Sequence, residues 1–270
     1  MIKIADMIDK AKESGYDEIN AEAKVCQDLI LALISQSQYN RNVTVKGGVV
    51  MRSITNNTRR ATQDMDLDFI KYSLQDDSIR KFISDLNSVG LVTIKMTGNI
   101  EELRQQDYHG KRIFIEIADF DGYKLNSKID LGVHKHYDIM QEEFCFDVGL
   151  DDDGASLLIN SKEQMFTEKL RSILKFGPLS TRYKDIFDIY YLSTLVDFKK
   201  LNECFKTLIY DDEGMRENNI DEIIKRVKNT FSNRIYIRNL STSKKNWLDV
   251  EQNVVLEGII EYLNKISVLI

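Results

Sequence analysis

The stretch Lys46-Gly47-Gly48, followed after a gap by Arg60-Ala61-Thr62-Gln63-Asp64-Met65-Asp66-Leu67, decides the reading of this 270-residue chain. Just before it, Asn42-Val43-Thr44-Val45 is short and β-branched and reads as a strand. The two glycines punctuate the backbone ahead of a short helix expected to start within residues 49–53. With no side chains in the way, N–H groups at such a turn approach a phosphate closely. Downstream, Met65-Asp66-Leu67-Asp68-Phe69-Ile70 alternates apolar and acidic residues, the pattern of a strand with one acidic face. Alternation puts Asp64 and Asp66 on that face together. Two neighbouring carboxylates repel unless a divalent cation holds them. An oxygen-only site suits magnesium, which keeps waters and substrate phosphates as further ligands. A lone Gly-Gly is a common turn, and a lone Asp-x-Asp is more often a solvated acidic face. Their conjunction describes a metal–nucleoside triphosphate site. Asp68 shares the face in a secondary position.

Working outward, residues 19–38 read as an amphipathic helix, with Val25, Leu29, Ile30, Leu33 and Ile34 at three- and four-residue steps. A second such helix covers 78–89. Further strands are expected at 91–96, 112–117, 127–133 and 144–148. The cluster Asp151-Asp152-Asp153-Gly154 is a loop signal, and beyond it the chain reads as helices: 162–176, 182–195, 198–209, 220–231 and 250–268. The single proline, Pro178, follows Phe176-Gly177 and should end one helix before the next. The expected fold class is therefore α+β: a mixed-sheet domain over 1–155, then an all-helical domain over 156–270.

Composition narrows the classes. The net charge of −6 argues against a generic nucleic-acid coat, though not against one local basic patch. Lys162, Lys169, Arg171, Lys175, Arg182 and Lys184 gather in a short span and form such a patch. Cys26, Cys145 and Cys204 are far apart and form no CxxC pair, which excludes a sequence-evident zinc knuckle and points to a reducing cytosol. No window approaches a membrane span, and Met1-Ile2-Lys3-Ile4-Ala5-Asp6 lacks the apolar core of a signal peptide, so a cytoplasmic protein is expected. His134 and His136 read as a surface pair, and Tyr183, Tyr190 and Tyr191 as helix packing. There is no GxxxxGK[ST], GxGxxG or HExxH.

The decisive segment resembles the nucleotidyltransferase superfamily that includes DNA polymerase β, with Gly-Gly or Gly-Ser followed by Asp-x-Asp. More narrowly, it is similar to the AbiEii/AbiGii toxin family of bacterial abortive-infection (phage-defence) and type IV toxin–antitoxin systems. The likeness is carried by Gly47-Gly48, by Arg60-Ala61-Thr62-Gln63-Asp64-Met65-Asp66-Leu67, by Glu168-Lys169-Leu170 and by Lys184-Asp185-Ile186-Phe187-Asp188. It covers most of residues 20–195 and thins beyond Tyr191.

This resemblance implies a polymerase β-like domain with a third carboxylate on a strand beside the Asp-x-Asp strand. Asp130 fits best, Glu116 competes, and Asp119 is a weaker candidate. It implies that Lys169 contacts the nucleotide phosphates and that Asp185 is its partner acid. Asp188 lies on the same helix face and is expected to support packing. On this reading Gly47, Gly48 and Ser53 hold the triphosphate. Asp64 and Asp66 bind magnesium as two ions, and Asp130 completes the cage or activates the acceptor hydroxyl. Lys169 and Arg60 offset phosphate charge. The implied substrate is an NTP, GTP or CTP, and the implied acceptor is RNA at the 3′ end of tRNA. The outcome is growth arrest, countered by a separately encoded antitoxin. Three rivals stand beside it: a GTP-binding toxin that acts on a partner without transfer, nucleotidyl transfer to a small molecule such as an aminoglycoside, and a scaffold with no active site.

Overall fold

A computed structural model describes residues 2–103, 110–150 and 152–269; of the acidic loop cluster, Asp151 lies outside the described residues. The chain divides into two compact units, Met1–Asn160 and Ser161–Ile270. Among the described residues there are ten α-helices and one seven-stranded mixed sheet.

The first unit opens with α1 (Ile4–Glu13) and α2 (Glu18–Ser35). Then come β1 (Val43–Lys46), α3 (Gly48–Thr55), a 3-10 turn (Thr58–Arg60), β2 (Met65–Phe69) and α4 (Asp76–Leu86). Five strands complete it: β3 (Thr93–Leu103), β4 (Gly110–Ala118), β5 (Lys124–Val133), β6 (Glu142–Phe146) and β7 (Ala155–Ile159). Their order across the sheet is β3-β4-β5-β2-β1-β7-β6. β2 runs antiparallel to β1 and parallel to β5, and β1 runs parallel to β7.

Period-two alternation gives this sheet two unlike faces. Val43, Val45, Leu67, Phe69, Ile129 and Leu131 are buried on one of them. The helix α4 closes part of that face by setting Phe82 edge-on to Phe69, with ring centroids 5.2 Å apart. The same alternation sends Lys46, Asp66, Asp68 and Asp130 to the other face. α2 forms as its periodicity predicts, with Asp17 accepting the Asn20 N–H at 2.9 Å as N-cap.

Two elements of this unit escape the sequence reading. α1 buries Ile4, Ile8 and Ala11, and Asp119 accepts the Ile4 N–H at 2.9 Å. β7 is rich in leucine rather than β-branched residues and directly follows a loop signal, so it does not read as a strand. It nevertheless pairs with β1 and β6, and carries the first unit on to Asn160. A boundary at 155 would detach β7 from its sheet.

The second unit runs through α5 (Lys162–Phe176), a 3-10 turn (Gly177–Leu179), α6 (Tyr183–Leu192) and α7 (Phe198–Phe205), which continues as a π-helical turn (Lys206–Tyr210). α8 (Ile220–Phe231), α9 (Arg234–Thr242) and α10 (Gln252–Leu269) follow. Ser161, Asp197, Asn219 and Asn233 cap α5, α7, α8 and α9 through side-chain oxygens, each contributing about 1 kcal/mol. Phe166, Phe187, Phe205 and Tyr236 fill the interior. α9 also escapes the sequence reading, because a short polar helix with two buried residues has little periodic signal. No helix among the described residues is long and apolar enough to cross a membrane.

Candidate active site

β1 ends at Lys46 and the chain turns through Gly47, whose φ of +68° lies where L-residues are strained. A Cβ on Gly47 would lie 2.6 Å from Asp66 Oδ2, and one on Gly48 would overlap the Thr62 side chain. The two halves of the motif are therefore packed on each other: the Gly47 backbone against Asp66, the Gly48 backbone against Thr62. α3 starts at Gly48 and is anchored from its second turn, where Arg52 Nη2 donates to Asp28 Oδ1 at 2.9 Å. Lys24 donates to the other Asp28 oxygen. Gln27 Nε2 donates to the carbonyls of Thr62 (2.9 Å) and Asp64 (3.3 Å), which holds the approach to β2.

On the polar face, four side chains fall on one line across four adjacent strands. Lys46 on β1 registers with Asp66 on β2, Asp66 with Asp130 on β5, and Asp130 with Arg112 on β4. The charge order along that row is plus, minus, minus, plus. Strands lie about 4.8 Å apart, so the two acids are next neighbours. Arg112 donates to both Asp130 oxygens, from Nε at 2.7 Å and Nη2 at 2.8 Å. Lys46 Nζ lies 2.6 Å from Asp68, and Lys128 Nζ lies 2.9 Å from Asp64. Burial first, then the charges of Asp130, Asp64 and Asp68, pushes the Asp66 carboxyl up to about 6, with Lys46 opposing.

The competing acids stand elsewhere. Glu116 is opposite Asn126, four residues along β4 from Arg112, or roughly 13 Å. It is paired with Lys95 at 2.9 Å and Lys124 at 3.2 Å, which hold its carboxyl below the ordinary range. Asp119 accepts backbone N–H groups from Ile4 and Tyr123. Ser53 lies five residues beyond Gly48, roughly 7 Å along the axis, so it is not at the start of α3 as expected. Arg60 is buried in its 3-10 turn, and Asp64 is exposed just ahead of β2.

Among the described residues, no three His, Cys, Asp or Glu side chains converge into a metal cluster. The in-register pair Asp66 and Asp130 offers oxygen donors only, a set that fits magnesium completed by waters and phosphates. Asp64 and Asp68 are turned towards lysines.

In the second unit, Lys169 donates to Asp185 Oδ1 at 2.7 Å, and its Nζ lies 2.8 Å from Asp188 Oδ2. Trp247 Nε1 donates to the other Asp188 oxygen at 2.9 Å. Asp188 is wholly buried, while Asp185 also faces the Arg182 guanidinium at 4.0 Å. Arg171 lies 2.5 Å from Asp212. The positive patch expected over 162–184 is thus neutralised at Lys169 and Arg171. His134 is buried against Tyr137 at 5.8 Å, not at the surface, and burial lowers its pKa. Tyr183 and Tyr191 pack on Tyr236 and Trp247, as helix packing predicts.

Lys46, Thr62, Arg112 and Lys128 are the site neighbours that the sequence reading passes over. Strand alternation alone would have put Lys128 on the face of Asp130, whereas Lys46 and Arg112 meet the acids through the register between strands.

A glycine-led helix start packed on an acidic strand, with a second acid in register on the parallel neighbour, defines a nucleotidyltransferase-like class. A family model described as "Nucleotidyl transferase AbiEii toxin, Type IV TA system" matches residues 28–249, and the chain belongs to that family. The family implies a nucleotide substrate and an antitoxin partner. No curated protein matches the chain.

Proposed function

We propose that this chain is a cytoplasmic toxin that moves a nucleoside monophosphate from an NTP, GTP or CTP, to an RNA acceptor at the 3′ end of tRNA. Growth arrest follows, as a phage-defence response held in check by the antitoxin. The observation that supports this reading most is the registration of Asp66 with Asp130 directly beside the Gly47 turn.

In this reading the mixed-sheet unit, which runs past the expected boundary at 155 to Asn160, is a polymerase β-like nucleotidyltransferase domain, and the unit from Ser161 onward is a helical domain. N–H groups of Gly47 and Gly48 receive the triphosphate. Asp66 and Asp130 would hold magnesium, and Asp64 would join them by leaving Lys128. When bound, magnesium offsets phosphate charge and favours the ionised acceptor hydroxyl. The acceptor oxygen forms a bond to the α-phosphorus, the bond from that phosphorus to the α–β bridging oxygen breaks, and pyrophosphate leaves. Asp130 would complete the magnesium cage or take the hydroxyl proton, which otherwise leaves to water. Within the helical unit Asp185 fixes Lys169, the residue that would offset phosphate charge in this reading.

Purified protein incubated with each labelled NTP, magnesium and total RNA should label tRNA. Asp66→Asn and Asp130→Asn should each reduce labelling by about 100-fold or more. A second reading, nucleotide binding without transfer, draws on the bidentate hold of Arg112 on Asp130. It predicts tight GTP binding and no labelled RNA from any NTP.

A further inference from the structure

Residues 223–248 contain seven lysines and arginines and no aspartate or glutamate, in a chain whose acids outnumber its bases by six. This span covers most of α8, all of α9 and the loop that follows, with only Ser232 and Asn233 between the two helices. Arg226 is used internally, its Nε donating to the Leu174 carbonyl at 3.1 Å. The other six, Lys225, Lys228, Arg234, Arg238, Lys244 and Lys245, are exposed, and among the described residues none has a carboxylate partner. They follow helical spacing: Lys225 and Lys228 on α8, Arg234 and Arg238 on α9. The polar residues beside them are neutral and also exposed, as with Asn229, Ser232, Ser241 and Thr242. The nearby acids include Asp221 and Glu222 at the start of α8, Asp249 and Glu251 after the span, and Glu257, which lines the same surface hollow as Lys228.

From this arrangement we propose that the outer surface of α8, α9 and the loop through Lys245 binds the phosphate backbone of the RNA acceptor. It rests on the reading of this chain as an RNA-directed transferase and names the surface that holds the acceptor. Exposed cations left without partners repel one another, and that repulsion falls when a polyanion binds them. Hydroxyl and amide neighbours suit sugar and phosphate contacts, whereas a protein interface is richer in apolar and aromatic anchors. Only Ile235 is a large exposed apolar residue in the span, at 62% exposure.

The test uses the full chain and fluorescein-labelled bulk tRNA, titrated by anisotropy at several salt concentrations. One variant carries Lys225→Gln, Lys228→Gln, Arg234→Gln and Arg238→Gln. A control of equal charge carries Lys10→Gln, Lys199→Gln, Lys206→Gln and Lys265→Gln, all at exposed positions. The first should lose about tenfold or more in tRNA affinity near 0.1 M salt, and its salt slope should fall by about 3. The control should change less than twofold, and both should bind labelled GTP with magnesium as the unaltered chain does. Equal tRNA binding by the two variants, or no tRNA binding by the unaltered chain, would overturn the proposal. So would unchanged tRNA binding with lost binding to poly-glutamate, which would reassign the face to an acidic protein. Failure of nucleotidyl transfer with the tRNA result intact would count against the transferase reading and leave the surface standing.

Discussion

Asp66 lies between the Gly47 backbone and the neighbouring charge of Asp130, and its carboxyl is pushed up to about 6 by burial and by that charge. In the unfolded chain the same group titrates near 4. Between those values the folded state holds a proton that the unfolded state has lost, so stability falls as pH rises from about 4 to about 6. The loss is on the order of 2 to 3 kcal/mol. Denaturant midpoints of the unaltered chain and Asp66→Asn should therefore diverge over that window, with the variant the more stable at pH 7. Parallel midpoints at both pH values would show that Asp66 is solvated and unstrained. At pH 7, magnesium at ten times its dissociation constant should add about 1.4 kcal/mol to the unaltered chain and nothing to the variant. Gly47 is constrained twice, by its positive φ and by the nearness of Asp66 Oδ2. Gly47→Ala should destabilise by about 1 to 3 kcal/mol and abolish transfer; a thermal midpoint within a degree of the parent would refute that packing.

Helix α3 is held to α2 by a buried ion pair, and it carries the glycine turn with it. Removing Arg52 leaves Asp28 buried with Lys24 as its remaining ion partner. Arg52→Ala should therefore cost about 1 to 3 kcal/mol, read by denaturant unfolding. A loss below about 0.5 kcal/mol would mean the pair is solvated. α1 depends on Asp119 in a similar way. Burial disfavours its ionised form, but N–H groups from Ile4, Tyr123, Asp121 and Gly122 outweigh that and lower its pKa. That contribution is present above the ordinary carboxylate range and is lost as pH falls through the lowered value. Asp119→Ala should raise hydrogen exchange in Ile4–Glu13 while leaving the sheet protected, which exchange mass spectrometry would detect. The elements most legible in the sequence were those with strong periodicity or capping: α5 and α8 fall at the residues expected. β7 and α9 were not legible, since their residues are fixed by partners distant in sequence rather than by local pattern. At the site, alternation made Asp66 readable. The pairing of Asp130 with Asp66, and of Lys46, Arg112 and Lys128 with the acids, depends on strand register, which one strand's sequence does not contain.

For the whole molecule, the net charge of −6 is a sum over unlike regions. The polar face of the sheet carries Asp66, Asp68 and Asp130, with Asp64 just ahead of β2, and Asp64, Asp68 and Asp130 are matched by Lys128, Lys46 and Arg112. In the helical unit, Lys169 and Arg171 are matched by aspartates, while the surface of α8 and α9 is not. A single value of net charge therefore says little about partners, and the local partition says more. In the proposed reaction the bond broken in the nucleotide is the one between the α-phosphorus and the α–β bridging oxygen. The direct measurement compares NTP labelled at the α-phosphate with NTP labelled at the γ-phosphate, each incubated with protein, magnesium and total tRNA. Label should enter tRNA from the α position only, the γ label should appear in pyrophosphate, and Asp66→Asn should prevent both. Bound nucleotide with no label in tRNA from either position, or label entering from the γ position, would contradict the proposed reaction.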